Sequence, residues 1–333
     1  MPEKVLTIII PHYNTPDYLE RLLISIPVKK EIQIVVVDDK SNTDMHKYIK
    51  LKESYKHVEF FDNETEKKGA GVCRNIGLTH AIADWLLFAD ADDYFVEDFY
   101  EVAERYFHSA NDVVYFAPTS IDQETNRVSI RHLYYYEIVN NYVKKSNKTN
   151  ELYLRYTYFG PWSKLIRRSF IEDNRILFEE VIVGNDTMFS TMVGYFMQTF
   201  QATNEIIYCV VNNKDTLTKK ISEENFYIRF DCFVRRCLFI RSVNSKKDYK
   251  IVCSNVNFLG IKQVHDAIIY KLGIKNILDI CKVMRKNNIG LFHIKYLNPI
   301  TFTKYLIHSL KRDVANKRHY NYEMIESKDY EVK

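Results

Sequence analysis

The sequence contains few of the residues that interrupt regular structure. Its 333 residues include only 9 Gly and 7 Pro, so no flexible linker is expected. No apolar run reaches the roughly 18 residues that a transmembrane helix needs. The N-terminal apolar run is too short for a signal peptide, and no cleavage site of small residues follows it. These absences favour a cytoplasmic protein.

Paired cysteine motifs are also missing. None of the six cysteines forms a CxxC pair, and most lie in apolar patterns. We expect free, buried thiols in a reducing cytosol, and a metal site is the weaker alternative. Aromatic residues, in contrast, make up 14% of the chain. That content predicts a substantial core and argues against disorder.

The two parts of the chain differ in charge. Residues 1–218 hold 24 Lys and Arg against 32 Asp and Glu, a net charge of −8. Residues 219–333 hold 23 against 11, a net charge of +12. We therefore predict a domain boundary near Lys219, between an acidic α/β part and a basic, mainly helical part.

Predicted strands and helices alternate through the acidic part. The patterns predict strands at 5–10, 32–37, 58–61, 85–88 and 113–117, with helices at 45–51, 69–83 and 96–107 between them. Thr15 and Pro16 resemble an N-cap and a first-turn proline. Further helices are predicted at about 186–200 and from 226 onward. The alternation is typical of a doubly wound parallel sheet.

Acidic residues end two of the predicted strands. Asp90, Asp92 and Asp93 follow one apolar run in WLLFADADDYF, and Asp38 and Asp39 follow another. If both strands belong to one parallel sheet, the carboxylates face one crevice at its carboxyl edge. A hard cation that carries nucleotide phosphates, Mg²⁺ or Mn²⁺, would suit such a crevice. The alternative for a single Asp-x-Asp is a solvated turn.

A glycine pair precedes one predicted helix but does not indicate a common nucleotide motif. In the segment that begins Gly69-Ala70-Gly71, the sixth position is Arg74, where the dinucleotide fingerprint has glycine. No Lys-Ser or Lys-Thr follows for a phosphate loop. We therefore expect neither a dinucleotide nor a phosphate-loop site here.

Six short motifs together resemble the family-2 glycosyltransferases with a GT-A fold. In order they are TIIIPHYN, VVVDDKS, GAGVCRNIGL, FADADD, GPWSKLIRRSF and FEEVIVGNDTMF. They span roughly residues 5–200, and the C-terminal third matches no known pattern. The resemblance implies an α/β GT-A fold, a doubly wound, Rossmann-like, mostly parallel sheet. A mainly helical C-terminal extension would follow it.

The resemblance also implies a nucleotide site. Pro11 and Tyr13 would lie against the base, and Asp39 would accept the base's ring N–H. Asp90 would contact the ribose. Arg74 would support the nucleotide pocket, although an arginine that covers a helix face is the alternative.

The resemblance also implies catalytic roles. Asp92 would bind Mn²⁺ or Mg²⁺ at the diphosphate, where the cation acts as a Lewis acid. Asp186 would be the general base that deprotonates the acceptor hydroxyl, and Glu179 or Glu180 would be next in line. Similar enzymes have Glu-Asp here, but this chain has Asn185-Asp186. The alternative for Asp186 is a helix N-cap after Gly184.

Four further residues have weaker assignments to the acceptor or the diphosphate. Trp162 would form an acceptor wall, with a buried core position as the alternative. Lys164 would contact the diphosphate or be solvated. Lys214 or Lys219 would replace a phosphate-binding Arg or His that similar enzymes have. No His pair has metal-ligand spacing, so a catalytic histidine is not expected.

The favoured function is that of an inverting hexosyltransferase in the biosynthesis of a cell-surface polysaccharide such as a capsule. The donor would be a nucleotide sugar, with UDP favoured by resemblance. The acceptor would be a saccharide or a lipid-linked saccharide. A non-catalytic scaffold with the same fold is one alternative. An Asp-nucleophile phosphohydrolase is disfavoured, because Asp93-Tyr94 stands where Thr or Val would follow Asp92. Nucleic-acid binding is not expected.

The basic C-terminal part suggests a surface role. In residues 301–318, Phe302, Tyr305, Leu306 and Leu310 share one helical face, and basic residues surround it. Such a helix suits peripheral binding to the cytoplasmic face of the membrane. Packing on its own domain and a homodimer contact are the alternatives.

Overall fold

The computed structural model describes residues 4–213 and 222–304 of the chain, and these residues form one mixed sheet with helices around it. The strands run in the order β3-β2-β1-β4-β7-β6-β8-β5. They are β1 (Leu6–His12), β2 (Ile32–Asp38), β3 (Val58–Asp62), β4 (Trp85–Phe88), β5 (Tyr94–Phe95), β6 (Val113–Asp122), β7 (Lys164–Arg167) and β8 (Phe200–Asn212).

Twelve α-helices accompany the strands within the described residues. They are α1 (Pro16–Ile24), α2 (Met45–Ser54), α3 (Ala70–His80), α4 (Phe99–Glu104), α5 (Leu133–Lys144), α6 (Lys148–Thr157), α7 (Arg168–Asp173), α8 (Asn185–Phe196), α9 (Glu223–Val243), α10 (Lys246–Cys253), α11 (Gly260–Ile269) and α12 (Gly273–Lys286).

The first half of the sheet is parallel, as the alternation predicts. β1 pairs with β2 on one side and with β4 on the other, so Leu6 lies opposite both Ile32 and Trp85. Every residue of β1, β2 and β4 is buried. Continuous apolar runs are expected of parallel strands that are covered on both faces. The two strands that end in acids therefore flank the same central strand.

The second half of the sheet is mixed. β7 lies antiparallel between β4 and β6, and β8 is parallel to β6. The helix predicted at 96–107 is shorter and starts later, at Phe99. The reason is that Tyr94 and Phe95 are held in a short strand opposite Cys209 and Tyr208 of β8. The sheet is nevertheless mostly parallel and is followed by a helical region, as the sequence predicts.

The C-terminal helices have a core of their own. It is formed mainly by α9, α10, α11 and α12, and α6 adds Leu152 and Tyr156 to it. The boundary predicted near Lys219 lies outside the described residues. All six cysteines are free thiols, and four of them are buried. In the described part of the chain, none of the helices is long and apolar enough to cross a membrane.

Candidate active site

The carboxyl end of β2 carries one acid that is committed to holding the fold. The buried carboxylate of Asp38 accepts hydrogen bonds from His12 Nδ1 (2.7 Å) and from the backbone N–H of Ser41 (2.8 Å). His12 Nε2 accepts the N–H of Thr15 (3.2 Å), so its proton lies on Nδ1. Burial would raise the pKa of Asp38, but the hydrogen bonds from His12 and Ser41 outweigh it and lower the pKa. Asp38 thus remains a carboxylate that fixes this turn.

Asp39 joins β2 to the start of α3. Its two carboxylate oxygens accept hydrogen bonds from Asn63 Nδ2 and from the backbone N–H of Gly69, both at 2.7 Å. Pro11 is buried in β1 opposite Val37. Tyr13, just beyond β1, is 42% exposed and therefore presents an aromatic surface beside this turn.

A buried arginine links three elements at the end of β4. The Arg74 guanidinium, only 4% exposed, donates to Asn185 Oδ1 at 2.7 Å and to Asp90 Oδ1 at 2.5 Å. It also lies 5.1 Å from the centre of the Phe178 ring. The alternative, an arginine that merely covers a helix face, is therefore wrong, because Arg74 connects α3, the end of β4 and the start of α8.

The next two acids have different surroundings. Asp93 is buried, and its carboxylate accepts hydrogen bonds from Val211 N–H (2.7 Å) and the Tyr208 hydroxyl (3.0 Å). The Tyr208 oxygen in turn accepts the N–H of Asp90 at 2.8 Å. Burial, and then the charges of Asp92 and Asp90, hold the pKa of Asp93 well above its usual range. Asp93 thus fastens this turn to β8.

Asp92 is partly exposed, and Arg21 donates a hydrogen bond to its backbone carbonyl oxygen. Burial and then the charge of Asp90 raise the pKa of the Asp92 carboxyl, and the charges of Arg131 and Arg21 only partly oppose this. Within the described residues, no basic side chain forms an ion pair with it. A cation would relieve this repulsion.

The described residues contain no ready-made metal cage of three or more His, Cys, Asp or Glu side chains. Mg²⁺ and Mn²⁺ do not require one, because one or two carboxylates, substrate phosphates and water suffice. Asp92, together with the partly exposed Asp90, fits that pattern.

Asp186 is the second residue of α8, next to the residue that Arg74 holds. Gly184, with a φ of +75°, is the N-cap, so Asp186 is not the cap itself. Burial raises the pKa of Asp186, the Arg74 charge lowers it, and the Asp90 charge raises it again; the net pKa is raised. Asp186 directly follows Asn185, which Arg74 links to Asp90 by hydrogen bonds. The two residues next in line as a base are already ion-paired, Glu179 with Arg235 and Glu180 with Lys67.

The glycines at the start of α3 make room for the loop that precedes Asp186. A Cβ at Gly71 would lie 2.1 Å from the carbonyl oxygen of Glu179. Gly69 has a φ of +121°, a backbone conformation that favours glycine. The glycine pair therefore lets the loop before Asp186 lie directly on α3.

Lys164 and Trp162 lie behind the site. Lys164 is 1% exposed, and its Nζ donates to the Tyr158 carbonyl oxygen (2.8 Å) and to Ser190 Oγ (3.1 Å). The expectation that it is solvated is wrong, and it has almost no exposed surface with which to contact a diphosphate. Trp162 is 8% exposed and stacks on Tyr208, with ring centres 5.7 Å apart. That position agrees with the core alternative.

The sequence does not indicate three residues of the site, and two of the predicted residues lie outside the described part of the chain. Asn63, Tyr208 and the exposed Arg131 were not anticipated, because each comes from a region without a recognisable motif. Lys214 and Lys219 lie outside the described residues.

The comparisons with known proteins agree on one family. The protein family Glycosyl transferase family 2 matches residues 7–175 of this chain. The putative glycosyltransferase EpsH of Bacillus subtilis is 23% identical over 264 residues, which cover 75% of this chain and 73% of EpsH. The poly(ribitol-phosphate) beta-N-acetylglucosaminyltransferase TarS of Staphylococcus aureus is 24% identical over 194 residues. These cover 57% of this chain but only 32% of TarS.

Two solved structures share the fold. The S. aureus TarS fragment 1–349 with UDP-GlcNAc has a TM-score of 0.57 at 19% identity and covers 75% of this chain and 70% of the fragment. The mannosyltransferase PcManGT of Pyrobaculum calidifontis, with GDP-Man and Mn²⁺, has a TM-score of 0.55 at 15% identity. That match covers 95% of this chain and 88% of PcManGT.

The burial of Lys164 predicts a particular pH dependence of stability. Burial lowers the pKa of Lys164 from 10.5 to about 7. Between these values the unfolded chain binds the proton and the folded chain does not, so folding becomes more favourable as the pH rises. We expect the wild type to gain up to about 1.4 kcal/mol per pH unit relative to Lys164→Met between pH 7 and 9.

Denaturant unfolding of both proteins at several pH values measures this difference. Other titrating groups cancel in the comparison, because both proteins carry them. Parallel curves for the wild type and Lys164→Met would show that Lys164 stays charged in the folded protein.

Proposed function

Because the chain belongs to glycosyl transferase family 2, we propose that it moves a sugar from a nucleotide-sugar donor to a saccharide acceptor with inversion at the anomeric carbon. The observation that carries the proposal is the convergence of Asp39, Asp90, Arg74 and Asp186 at the carboxyl ends of the parallel strands. Ligands bind at that edge in open α/β sheets. The match over half the chain does not support the phosphohydrolase alternative.

The donor we propose is a UDP-sugar. Tyr13 offers an exposed aromatic surface next to the buried Pro11, and a base can lie against it. Asp39 retains lone pairs for a ring N–H, and Asp90 is exposed enough to accept a ribose hydroxyl. The structural similarity to TarS with bound UDP-GlcNAc favours the same nucleotide.

Within this proposal, residues 1–218 are the catalytic part and residues 219–333 are the basic helical part.

Asp92 would hold Mn²⁺ or Mg²⁺ at the diphosphate. When bound, the cation supplies Lewis-acid stabilisation of the diphosphate that leaves. Asp186 takes the proton of the acceptor hydroxyl while that oxygen forms the new bond to the anomeric carbon. The bond from the anomeric carbon to the diphosphate breaks on the opposite face. The raised pKa of Asp186 suits a base, because it brings the acidity of the carboxyl closer to neutral pH.

The acceptor we propose is a polymer or lipid-linked saccharide of the cell surface. The relatives named EpsH and TarS favour a bacterial surface glycan. A cytoplasmic enzyme would meet a lipid-linked acceptor at the membrane. Exposed apolar side chains and a net charge of +12 both occur in the C-terminal part. The exposed side chains include Ile274, Leu278, Phe292, Ile294, Leu297 and Ile300.

Asp92→Asn should keep the fold but lose Mn²⁺-dependent binding of UDP. The substitution removes the charge that holds the cation with little change in volume. Isothermal titration with UDP, with and without Mn²⁺, measures the effect. Asp98→Asn is the matched control, because Asp98 is exposed and its side chain makes no capping hydrogen bond. Unchanged Mn²⁺-dependent affinity in Asp92→Asn would remove Asp92 from the metal site.

Asp186→Asn should lower the turnover number by about 10² to 10⁴ and leave UDP binding close to that of the wild type. The amide cannot accept the hydroxyl proton but fills the same space. Sugar transfer and UDP binding are measured on the same preparations. Asp173→Asn, an exposed position at the end of α7, serves as the control. Transfer at the wild-type rate would place the base elsewhere, and no transfer by the wild type from any sugar nucleotide would favour the scaffold alternative.

The C-terminal part should hold the enzyme on anionic membranes. Each basic residue near such a surface contributes on the order of 1 kcal/mol, and exposed apolar side chains insert at the interface. We expect the full chain to co-sediment with anionic vesicles at low salt, and neither with neutral vesicles nor at high salt. A chain that ends at Asn298 should bind less, because it lacks 301–318, most of which lies outside the described residues. Equal binding by both chains would make this segment a packing or dimer contact.

A further inference from the structure

A cavity lies between the two C-terminal helices α9 and α11. Its volume is about 270 Å³. α9 contributes two of its lining residues, and the rest belong to α11 and the residue after it. The lining residues are Phe226, Arg229, Lys262, Gln263, Asp266 and Tyr270.

The cavity adjoins the loop that carries the proposed base. A Cβ built on Gly184 would lie 4.0 Å from Arg229 Cγ. The Sγ atom of Cys232, one turn along α9, lies 3.9 Å from the Gly184 carbonyl oxygen. Gly184 is the N-cap of α8, and Asp186 is the second residue of that helix. Only one side chain therefore separates the cavity from the loop of Asp186.

The lining has the chemistry of a saccharide site. The rings of Phe226 and Tyr270 lie 5.5 Å apart and can pack against the apolar face of a sugar ring. Gln263, Asp266 and Arg229 offer planar polar groups that match pairs of hydroxyls. The volume is slightly below the roughly 300 Å³ at which pockets for drug-sized ligands begin, so it suits a single sugar residue.

The charges in the cavity favour an anion. Lys262 is ion-paired with Asp266 within α11, so these two charges offset each other. The Arg229 guanidinium donates a hydrogen bond to the neutral Tyr270 hydroxyl, and no carboxylate of residues 4–213 or 222–304 forms an ion pair with it. Among the residues that line the cavity, two basic side chains and one carboxylate therefore leave a net charge of +1 beside the aromatic pair. Phosphate and carboxylate oxygens are the usual partners of a guanidinium.

We propose that this cavity is an acceptor subsite that binds one sugar residue together with an anionic group, a phosphate or a carboxylate, on the same acceptor. The proposal rests on the proposed function, since it takes Asp186 as the base. It goes beyond that function by assigning a charged acceptor and by giving α9 and α11 a part in its recognition. An acceptor held here reaches the loop of Asp186 from the side of the C-terminal helices.

Isothermal titration calorimetry with small probes tests the subsite on the full chain. The probes are glucose 1-phosphate, glucuronic acid, glucose and inorganic phosphate. Each is titrated with and without saturating UDP and Mn²⁺, which keep the donor site filled. The variants are Arg229→Gln and Lys262→Gln. Lys247→Gln is the matched control, because Lys247 is exposed on α10 and does not line the cavity.

We expect a charged sugar to bind with UDP present and more tightly than glucose or inorganic phosphate. Arg229→Gln should weaken it roughly tenfold, the usual effect of losing one charge-assisted contact. Lys262→Gln should also weaken it, because Asp266 then neutralises Arg229. Lys247→Gln should bind like the wild type. The tighter of the two charged probes identifies the anion.

Several results would overturn the subsite. They are no binding of either charged probe, loss of binding when UDP is added, and unchanged binding in both Arg229→Gln and Lys262→Gln. Melting temperatures show whether each variant is folded, and Lys262→Gln carries the test if Arg229→Gln is not. Failure of the donor proposal is distinguishable, because UDP itself would then give no signal while the probe titrations remain readable.

Discussion

The buried Arg74 guanidinium is the interaction on which the candidate site depends. It lies on α3, yet its two hydrogen bonds reach the end of β4 and the start of α8. A buried charge is tolerated only where partners compensate it. Asp90 supplies the compensating charge, and Asn185 supplies a neutral acceptor. With a glutamate at position 185, as in similar enzymes, Arg74 would face two contacting carboxylates instead of one. The Arg74 charge lowers the pKa of Asp186, but burial raises that pKa by more.

The acidic residues at the strand ends include buried and partly exposed ones, and the sequence motif does not distinguish them. Asp38 and Asp93 are enclosed by donors from their own chain and hold turns together. Asp90 and Asp92 retain exposed surface and strain one another electrostatically. In the sequence Asp92 and Asp93 are neighbours, so the motif alone does not show which of them is buried. The direction of alternate side chains along the turn decides which is buried, and that direction depends on contacts with β8 more than 100 residues away.

The parallel half of the sheet was predictable because its strands are continuous apolar runs and their connections are local. The mixed half was not. β7 has four residues, and the pairing of β6 with β8 joins segments about 90 residues apart. No local pattern encodes such pairing, since tertiary packing decides it. Lys164 shows the same limit, because a lysine beside an apolar segment gives no sign that a carbonyl oxygen and a serine will enclose its amino group.

The loop before Asp186 explains why the C-terminal helices matter to the site. On one side, Asn75 of α3 exchanges hydrogen bonds with the backbone of Phe178, and Gly71 allows the loop to approach closely. On the other side, Arg235 of α9 is ion-paired with Glu179. The loop before Asp186 is therefore held between α3 and α9. A displacement of α9 would act on this loop, so the proposed acceptor subsite and the proposed base share one mechanical connection.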